Sequence, residues 1–365
     1  VVVGAERLGG DARRRNVNMS SPGTSVQRVT NIDALSSSRA SARHRSRLRR
    51  TWPLLVAIAL TIGLIALSIF VGVADITAGQ GEGAEFLWIT RVPRTASLVL
   101  AGASMAMAGL VMQLMTQNRF VEPTTVGTTE WAGLGLLVTY IVLPASGVLL
   151  KMVVAIVFAF IGTLVFFAFL RRVTLKSSLI VPIVGIMFGA VVSAITTFLA
   201  LRFNLMQVLG GWFMGRFTGI EVGRYELLWI VLVVAIVVMI VADRFTVAGL
   251  GKDVATNVGL NYERVVLLGV GLISLTTGVV TVVIGMLPFL GLIVPNLVSM
   301  VRGDDLRSNL PWVFLTGIWI VTICDIIGRV VIMPFEVPVS LVLGVVGSAV
   351  FIFMLLRTRR TSAVR

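Results

Sequence analysis

Between residues 53 and 356 the chain is a succession of long apolar runs separated by short polar gaps. Crossing about 30 Å of hydrocarbon at 1.5 Å per residue takes about 20 residues of helix, and most runs have that length. Inside lipid every backbone N–H and C=O must be paired within the protein, which leaves helices or a closed barrel. The runs are continuously apolar and do not alternate with period two, so the pattern predicts helices. Ten spans follow: 53–73, 94–115, 124–143, 149–170, 179–200, 227–242, 264–284, 289–301, 311–330 and 338–356. The eighth is too short to cross upright, and GMLPFLGLIVP is expected to belong to a broken helix packed inside the bundle. The expected fold class is an all-α integral membrane protein of about ten transmembrane helices, one of them short or broken.

One gap differs from the others. DRFTVAGLGKDVATNVGLNYER, Asp243 to Arg264, is polar, punctuated by glycine and long enough for a small hairpin between spans six and seven. Leu250, Val254 and Val258 fall at i, i+4 and i+8, a single apolar stripe on a short helix. Gly249 and Gly251 break the chain before it, and Gly259 is placed as its C-terminal stop. The stripe is too small to form a core alone. Two fates are open to it: packing back onto the bundle, or entering a groove on a partner protein.

The chain has 365 residues, 57% of them hydrophobic and 13% charged, with a mean hydropathy of +0.98, outside the usual balance of a soluble domain. The net charge of +14 suggests nucleic acid until its location is considered. Six arginines stand in RASARHRSRLRR, Arg39 to Arg50, directly before the first span, where basic blocks set topology and meet anionic lipid head groups; no nucleic-acid partner is expected. Residues 1–50 are rich in Ser, Arg and Gly without apolar periodicity and are expected to form a disordered basic cytoplasmic tail, with Met19 as a candidate initiator. PLLVAIALTIGLIALSIFVGV is too long for a signal-peptide core and lacks a following A-x-A site, so it is expected to remain as an anchor. An even number of spans puts both termini on one side. With the tail inside, only Arg91, Arg94, Lys151, Arg202, Arg216, Arg224 and Arg329, seven of the 31 Lys and Arg residues, fall outside, the asymmetry that the positive-inside rule requires. This orientation makes 51–357 the transmembrane domain, 243–264 a cytoplasmic loop and 358–365 a short cytoplasmic tail.

Catalytic chemistry is nearly absent. The only histidine, His44, is in the tail, which excludes HExxH zinc sites and His-based triads. The only cysteine, Cys324, lies inside a span, so neither a disulfide framework nor a thiolate metal cluster is expected. PASGV at 144–148 has a serine beside glycine but no base, and reads as a turn between spans. GLGKD at 249–253 departs from a phosphate loop, because Asp253 stands where Ser or Thr is needed and the glycine spacing is wrong.

The spans carry other signals. Gly102, Ala106 and Gly109, and again Gly127, Gly133 and Gly135, are small residues at helical spacing, first of all a mark of close helix packing. Asp325 precedes Arg329 by four residues, which accounts for both as a local ion pair. Glu130 has no opposite charge at helical spacing, leaving a solvated residue at a span end or a proton or cation relay. In RVPR, Arg91 and Arg94 flank a proline at a helix start, an ordinary place for it. As exposed outer cations, joined by Arg329, they are expected to form a docking surface for carboxylates of a partner.

Four segments together carry a resemblance: RVPRTASLVLAGASMAMAGLVMQ (91–113), LGKDVATNVGL (250–260), LPFLGLIVPNLVSMVRGDDLR (287–307) and CDIIGRVVIMPFEVP (324–338). Over about residues 55–357 the chain resembles the permease subunits of ABC importers for iron-siderophore complexes, haem and cobalamin. The resemblance implies ten helices per subunit, in the bacterial cytoplasmic membrane, and a second permease subunit, homologous or identical, with the translocation path between the two. It implies two cytoplasmic ABC ATPase subunits that hold the ATP and Mg, and an extracytoplasmic siderophore-binding lipoprotein that delivers the ligand. This chain would then be no enzyme and would hold no cofactor of its own. By the same resemblance Leu250, Gly251, Lys252, Asp253, Val254, Ala255, Val258 and Gly259 would couple to the ATPase, and Arg91, Arg94 and Arg329 would pair with glutamates of the binding protein. Two departures point within the family. Many members have RNPLA-P after helix two, where this chain has QNRFVEPTTVGTTEWAGLG (117–135), and VPN (294–296) stands where VPH is common; both look like the branch importing catecholate-type ferric siderophores. The competing classes are an ion-coupled secondary transporter using Glu130 or Asp325, which normally shows repeated halves not visible here, and an intramembrane enzyme, for which no nucleophile–base pair exists.

Overall fold

The computed structural model describes residues 52–71, 87–172 and 180–362; the expected tail over 1–50 lies outside the described residues. Two units are distinguished, Val1–Val56 and a body, Ala57–Arg365, that holds the bundle. The helices are α1 (Trp52–Phe70), α2 (Val92–Thr116, entered through a π turn at Leu87–Arg91), α3 (Thr128–Val142), α4 (Val148–Leu170), α5 (Ile180–Arg202), α6 (Met206–Phe213), α7 (Trp229–Gly249), α8 (Lys252–Asn257), α9 (Tyr262–Val283), α10 (Leu290–Arg302), α11 (Leu306–Val330) and α12 (Val339–Ser362). Every expected span corresponds to a helix, and α6 and α8 are additional short ones. Among the described residues eight helices are long and apolar enough to cross a membrane; α3, with 15 residues, and α10, with 13, are shorter.

The bundle is built around α2, which packs on α7, α9, α10 and α11. Its most apolar window is 83% buried, against 22% for α12, which therefore turns most of its surface outward. Small residues make this central position possible. A Cβ at Gly102 would stand 2.7 Å from the Gly317 carbonyl oxygen of α11, and one at Gly109 would stand 2.1 Å from that of Gly291 on α10. Neither contact tolerates a methyl, so the small residues of α2 are where two neighbouring backbones touch it.

Two helix ends differ from the pattern. The sixth span was expected to stop at residue 242, but α7 continues through the polar DRFTVAG to Gly249. Ala242, Phe245 and Ala248 are buried at a spacing of three, and this stripe carries the helix past the charges of Asp243 and Arg244. Likewise α12 continues to Ser362, beyond the expected end at 356.

The eighth span is the broken helix the sequence predicts. It starts only at Leu290, after an irregular stretch and a left-handed Phe289 (φ 62), and it contains Pro295. At about 1.5 Å per residue, α10 is about 20 Å long, short of the hydrocarbon thickness. Irregular backbone at this depth must be satisfied by protein, and the residues that do so stand at the candidate site.

Candidate functional site

The first candidate is the hairpin between α7 and α9. Gly251 takes φ 107, a conformation closed to most side chains, and turns the chain from α7 into α8. At the other end Gly259 takes φ 82, its N–H donates to Thr256 O at 2.9 Å, and Leu260 N–H donates to Ala255 O at 2.9 Å. These two bonds make a Schellman stop, so Gly259 terminates the helix as its position suggests. Ala255 is fully buried and pins α8 to the body, whereas Leu250, Val254 and Val258 are 64%, 44% and 70% exposed. Of the two fates open to the stripe, packing back onto the bundle is not the one adopted. Lys252 and Asp253 are also exposed. Glu263 holds the hairpin in place, 2.6 Å from Arg171 at the end of α4 and 3.4 Å from Lys252; sequence spacing gave no sign of this bridge, because its partners lie on different helices.

The second candidate lies at the opposite end of α2, about 37 Å away by helix rise over its 25 residues. Arg91, Arg94 and Arg329 do come together, but not as exposed cations. Arg329 is 2% exposed and Arg91 7%. Arg329 pairs with Asp325 one turn earlier, as expected, and donates to Ser68 O at 2.7 Å and Val71 O at 2.8 Å. Arg91 donates to Ile69 O at 3.2 Å and Val71 O at 2.7 Å. Both guanidinium groups thus cap the orphan carbonyls at the C-terminus of α1, where positive charge is favoured. Arg94 bridges Asp325 at 2.8 Å and Glu336 at 2.9 Å, with 13% of its side chain exposed. Burial pushes Glu336 up, but hydrogen bonds from Arg94 and Thr218 outweigh it and hold the carboxyl below the usual glutamate range. The expectation that Arg91 and Arg94 are exposed cations, joined by Arg329, is therefore corrected. Glu336 and the α1 carbonyls, far off in sequence, absorb them.

A third cluster was not anticipated. Glu122, in the loop between α2 and α3, is fully buried and lies over the start of α10. Its Oε1 accepts from Phe289 N–H at 2.8 Å and its Oε2 from Leu292 N–H at 3.1 Å, pairing the N–H groups that a helix start leaves free. Within α10, Pro295 supplies no N–H to the Gly291 carbonyl, and Gln113 Nε2 of α2 donates to it instead at 3.2 Å. Asn296 Nδ2 donates to Arg119 O and to Leu292 O, each at 2.7 Å. The two segments that depart from the common family pattern, 117–135 and VPN, are thus in direct contact. Glu122→Ala is expected to strand the buried Phe289 N–H, at about 1–3 kcal/mol, and to leave Leu292 N–H with only its 3.2 Å bond to Phe289 O; Glu122→Gln, which keeps an acceptor, is expected to cost less. Thermal melting of the purified protein reads the difference.

Glu130 sits in the first turn of α3, half-buried, and its Oε2 is buried with no partner among the described residues. Cys324 is buried. Among the described residues no three His, Cys, Asp or Glu side chains are grouped as a metal site requires.

Residues 52–357 match the FecCD transport family. The petrobactin import system permease protein FatD of Bacillus anthracis is 58% identical over 315 residues, covering 86% of this chain and 94% of that protein. The petrobactin import system permease protein YclN of Bacillus subtilis is 42% identical, covering 86% of this chain and 99% of its own. The ferric-anguibactin transport system permease protein FatD of Vibrio anguillarum is 41% identical, covering 73% and 85%. Among solved structures, an inward-facing conformation of a metal-chelate type ABC transporter superposes with a TM-score of 0.72 at 20% identity, covering 83% of this chain and 98% of the other; at that identity it speaks for the fold alone.

Proposed function

The chain belongs to the FecCD transport family, and from that premise we propose that it is the permease subunit of an ABC importer that carries a ferric siderophore of the catecholate type across the bacterial cytoplasmic membrane. The observation that carries the mechanism is α8. It is a six-residue helix fixed to the body through Ala255 and Gly251, with Leu250, Val254 and Val258 turned to the outside. An anchored helix with an unpartnered apolar stripe suits a shallow groove on a second protein. In this reading that protein is the ATPase, which holds the ATP and Mg, and residues 243–264 are the coupling loop. Closure of the nucleotide sites would push α8 and, through α7 and α9, tilt the helices around α2.

The siderophore assignment draws on the relatives, named for petrobactin import and ferric-anguibactin transport. The full assembly in this reading has a second permease subunit, two ATPases and an extracytoplasmic binding lipoprotein, with both termini cytoplasmic, the side that the distribution of Lys and Arg supports. Docking of that lipoprotein through Arg91, Arg94 and Arg329 requires its acids to compete with Asp325 and Glu336, and Arg94, held by both, is the residue to which such competition applies.

Radio-iron uptake from a panel of siderophores, in a strain lacking this permease, tests the assignment. Expression of the chain with its ATPase is expected to restore uptake that vanadate stops. Uptake that survives vanadate and collapses with an uncoupler would overturn the proposal in favour of an ion-coupled transporter.

A further inference from the structure

A cavity of about 320 Å³ opens between α3, α4, α6 and the end of α9, within the range of small-molecule sites, about 300–1,000 Å³. It lies at the end of the bundle away from α8, because α9 leaves the α8 hairpin at Tyr262 and reaches the cavity at Thr281–Val283. Three cations line it, Lys151, Arg216 and Arg224. None of them has a carboxylate within ion-pair distance among the described residues, in contrast to Arg94 and Arg329, which Asp325 and Glu336 already neutralise. The wall beside them is aromatic. Tyr140 and Trp212 lie with ring centroids 4.5 Å apart, and Lys151 Nζ stands 3.8 Å over the Tyr140 ring.

Resting on the importer reading, we propose that this cavity is an entry site for an anionic aromatic chelate, such as a catecholate arm of the cargo. Phenolate or carboxylate oxygens take charge-assisted hydrogen bonds from Arg216, Arg224 and Lys151, while the ring lies against Tyr140 and Trp212. A phosphate or the acidic side chain of a docking protein uses the cations and leaves the aromatic wall idle; an aromatic anion uses both. The cavity also touches the break before α10. Arg216 N–H donates to Ile284 O at 3.1 Å, and a Cβ at Gly285 would stand 2.4 Å from Trp212 O. An occupant therefore presses on the segment that leads into the broken helix.

The test is binding of the iron(III)–catechol complex to the full chain in nanodiscs of zwitterionic lipid, followed by quenching of tryptophan emission, with no ATP present. Saturable quenching is expected, and Lys151→Ala with Arg216→Ala is expected to weaken it by about tenfold or more, equivalent to about 1.4 kcal/mol. Trp212→Phe is expected to reduce the amplitude of quenching while shifting the midpoint far less. The charge inversion Arg216→Glu, at an exposed position that leaves the fold intact, is expected to abolish binding alone. Quenching that does not saturate, or a midpoint unmoved in the double and inverted variants, overturns the proposal. So does competition by inorganic phosphate or phosphatidylglycerol as strong as by catechol, which would make the cavity a general anion site. Co-purification of the ATPase is measured on the same samples. Loss of that association sinks the importer reading whatever the cavity binds, and an assembled, transporting complex whose cavity binds nothing sinks only the cavity.

Discussion

Val254→Asp is expected to stop ATP-driven uptake while leaving the permease folded in the membrane. Val254 is 44% exposed on the outer face of α8, so in the free subunit the new carboxylate remains in water, and surface changes of this kind stay within about 0.5 kcal/mol. Seated in an apolar groove of a partner, the same charge would be buried without a counterion, a cost of several kcal/mol. A loss of about 3 kcal/mol corresponds to roughly a hundredfold weaker association. Melting of the isolated permease against co-purification of the ATPase separates the two effects, and normal uptake in the variant would remove α8 from the coupling role. Gly251→Pro is expected to reach the same end by another route, because φ 107 at this position is incompatible with the proline ring, which needs about −65°.

Asp325→Ala is expected to unfold the opposite end. Asp325 is 1% exposed and faces both Arg94 and Arg329. Removing the shared anion leaves two guanidinium groups close together in a poorly solvated place, and breaking a buried pair from one side costs about 3–5 kcal/mol. Arg329 also holds the end of α1 through Ser68 and Val71, so its reorientation would free that helix terminus as well. The expected result is a fall in melting temperature on the order of 10 °C, with Asp325→Asn, which keeps an acceptor for Arg94, intermediate. A variant that melts like the parent would show that Glu336 alone neutralises the pair.

Much of this architecture is legible along the chain because lipid imposes a single rule on it: each span must be apolar, helical and about 20 residues long. The broken helix could be foreseen from its length and its prolines, and Gly259 from the apolar stripe it ends. The end of α7 could not, because its charges at 243 and 244 hide the buried Phe245 and Ala248 that carry the helix onward. The fate of the arginines was hidden for a different reason. Asp325 is visible at one helical turn from Arg329, but Arg94 reaches Asp325 across 231 positions and Glu336 across 242, and no helical periodicity reports a contact of that range. Glu122 was concealed by its company, since a lone acid between Val121 and Pro123 reads as a loop residue. The one available signal was that its segment and VPN depart from the family pattern together.

That coincidence has a practical side. The start of α10 takes its acceptors from Glu122 and lends its own Asn296 to the Arg119 carbonyl, so the two stretches behave as lock and key. Chimeras made with a relative carrying RNPLA-P and VPH should work when both stretches are exchanged and fail when either is grafted alone. Either stretch, moved into another background, is then expected to carry its partner with it as one folding unit.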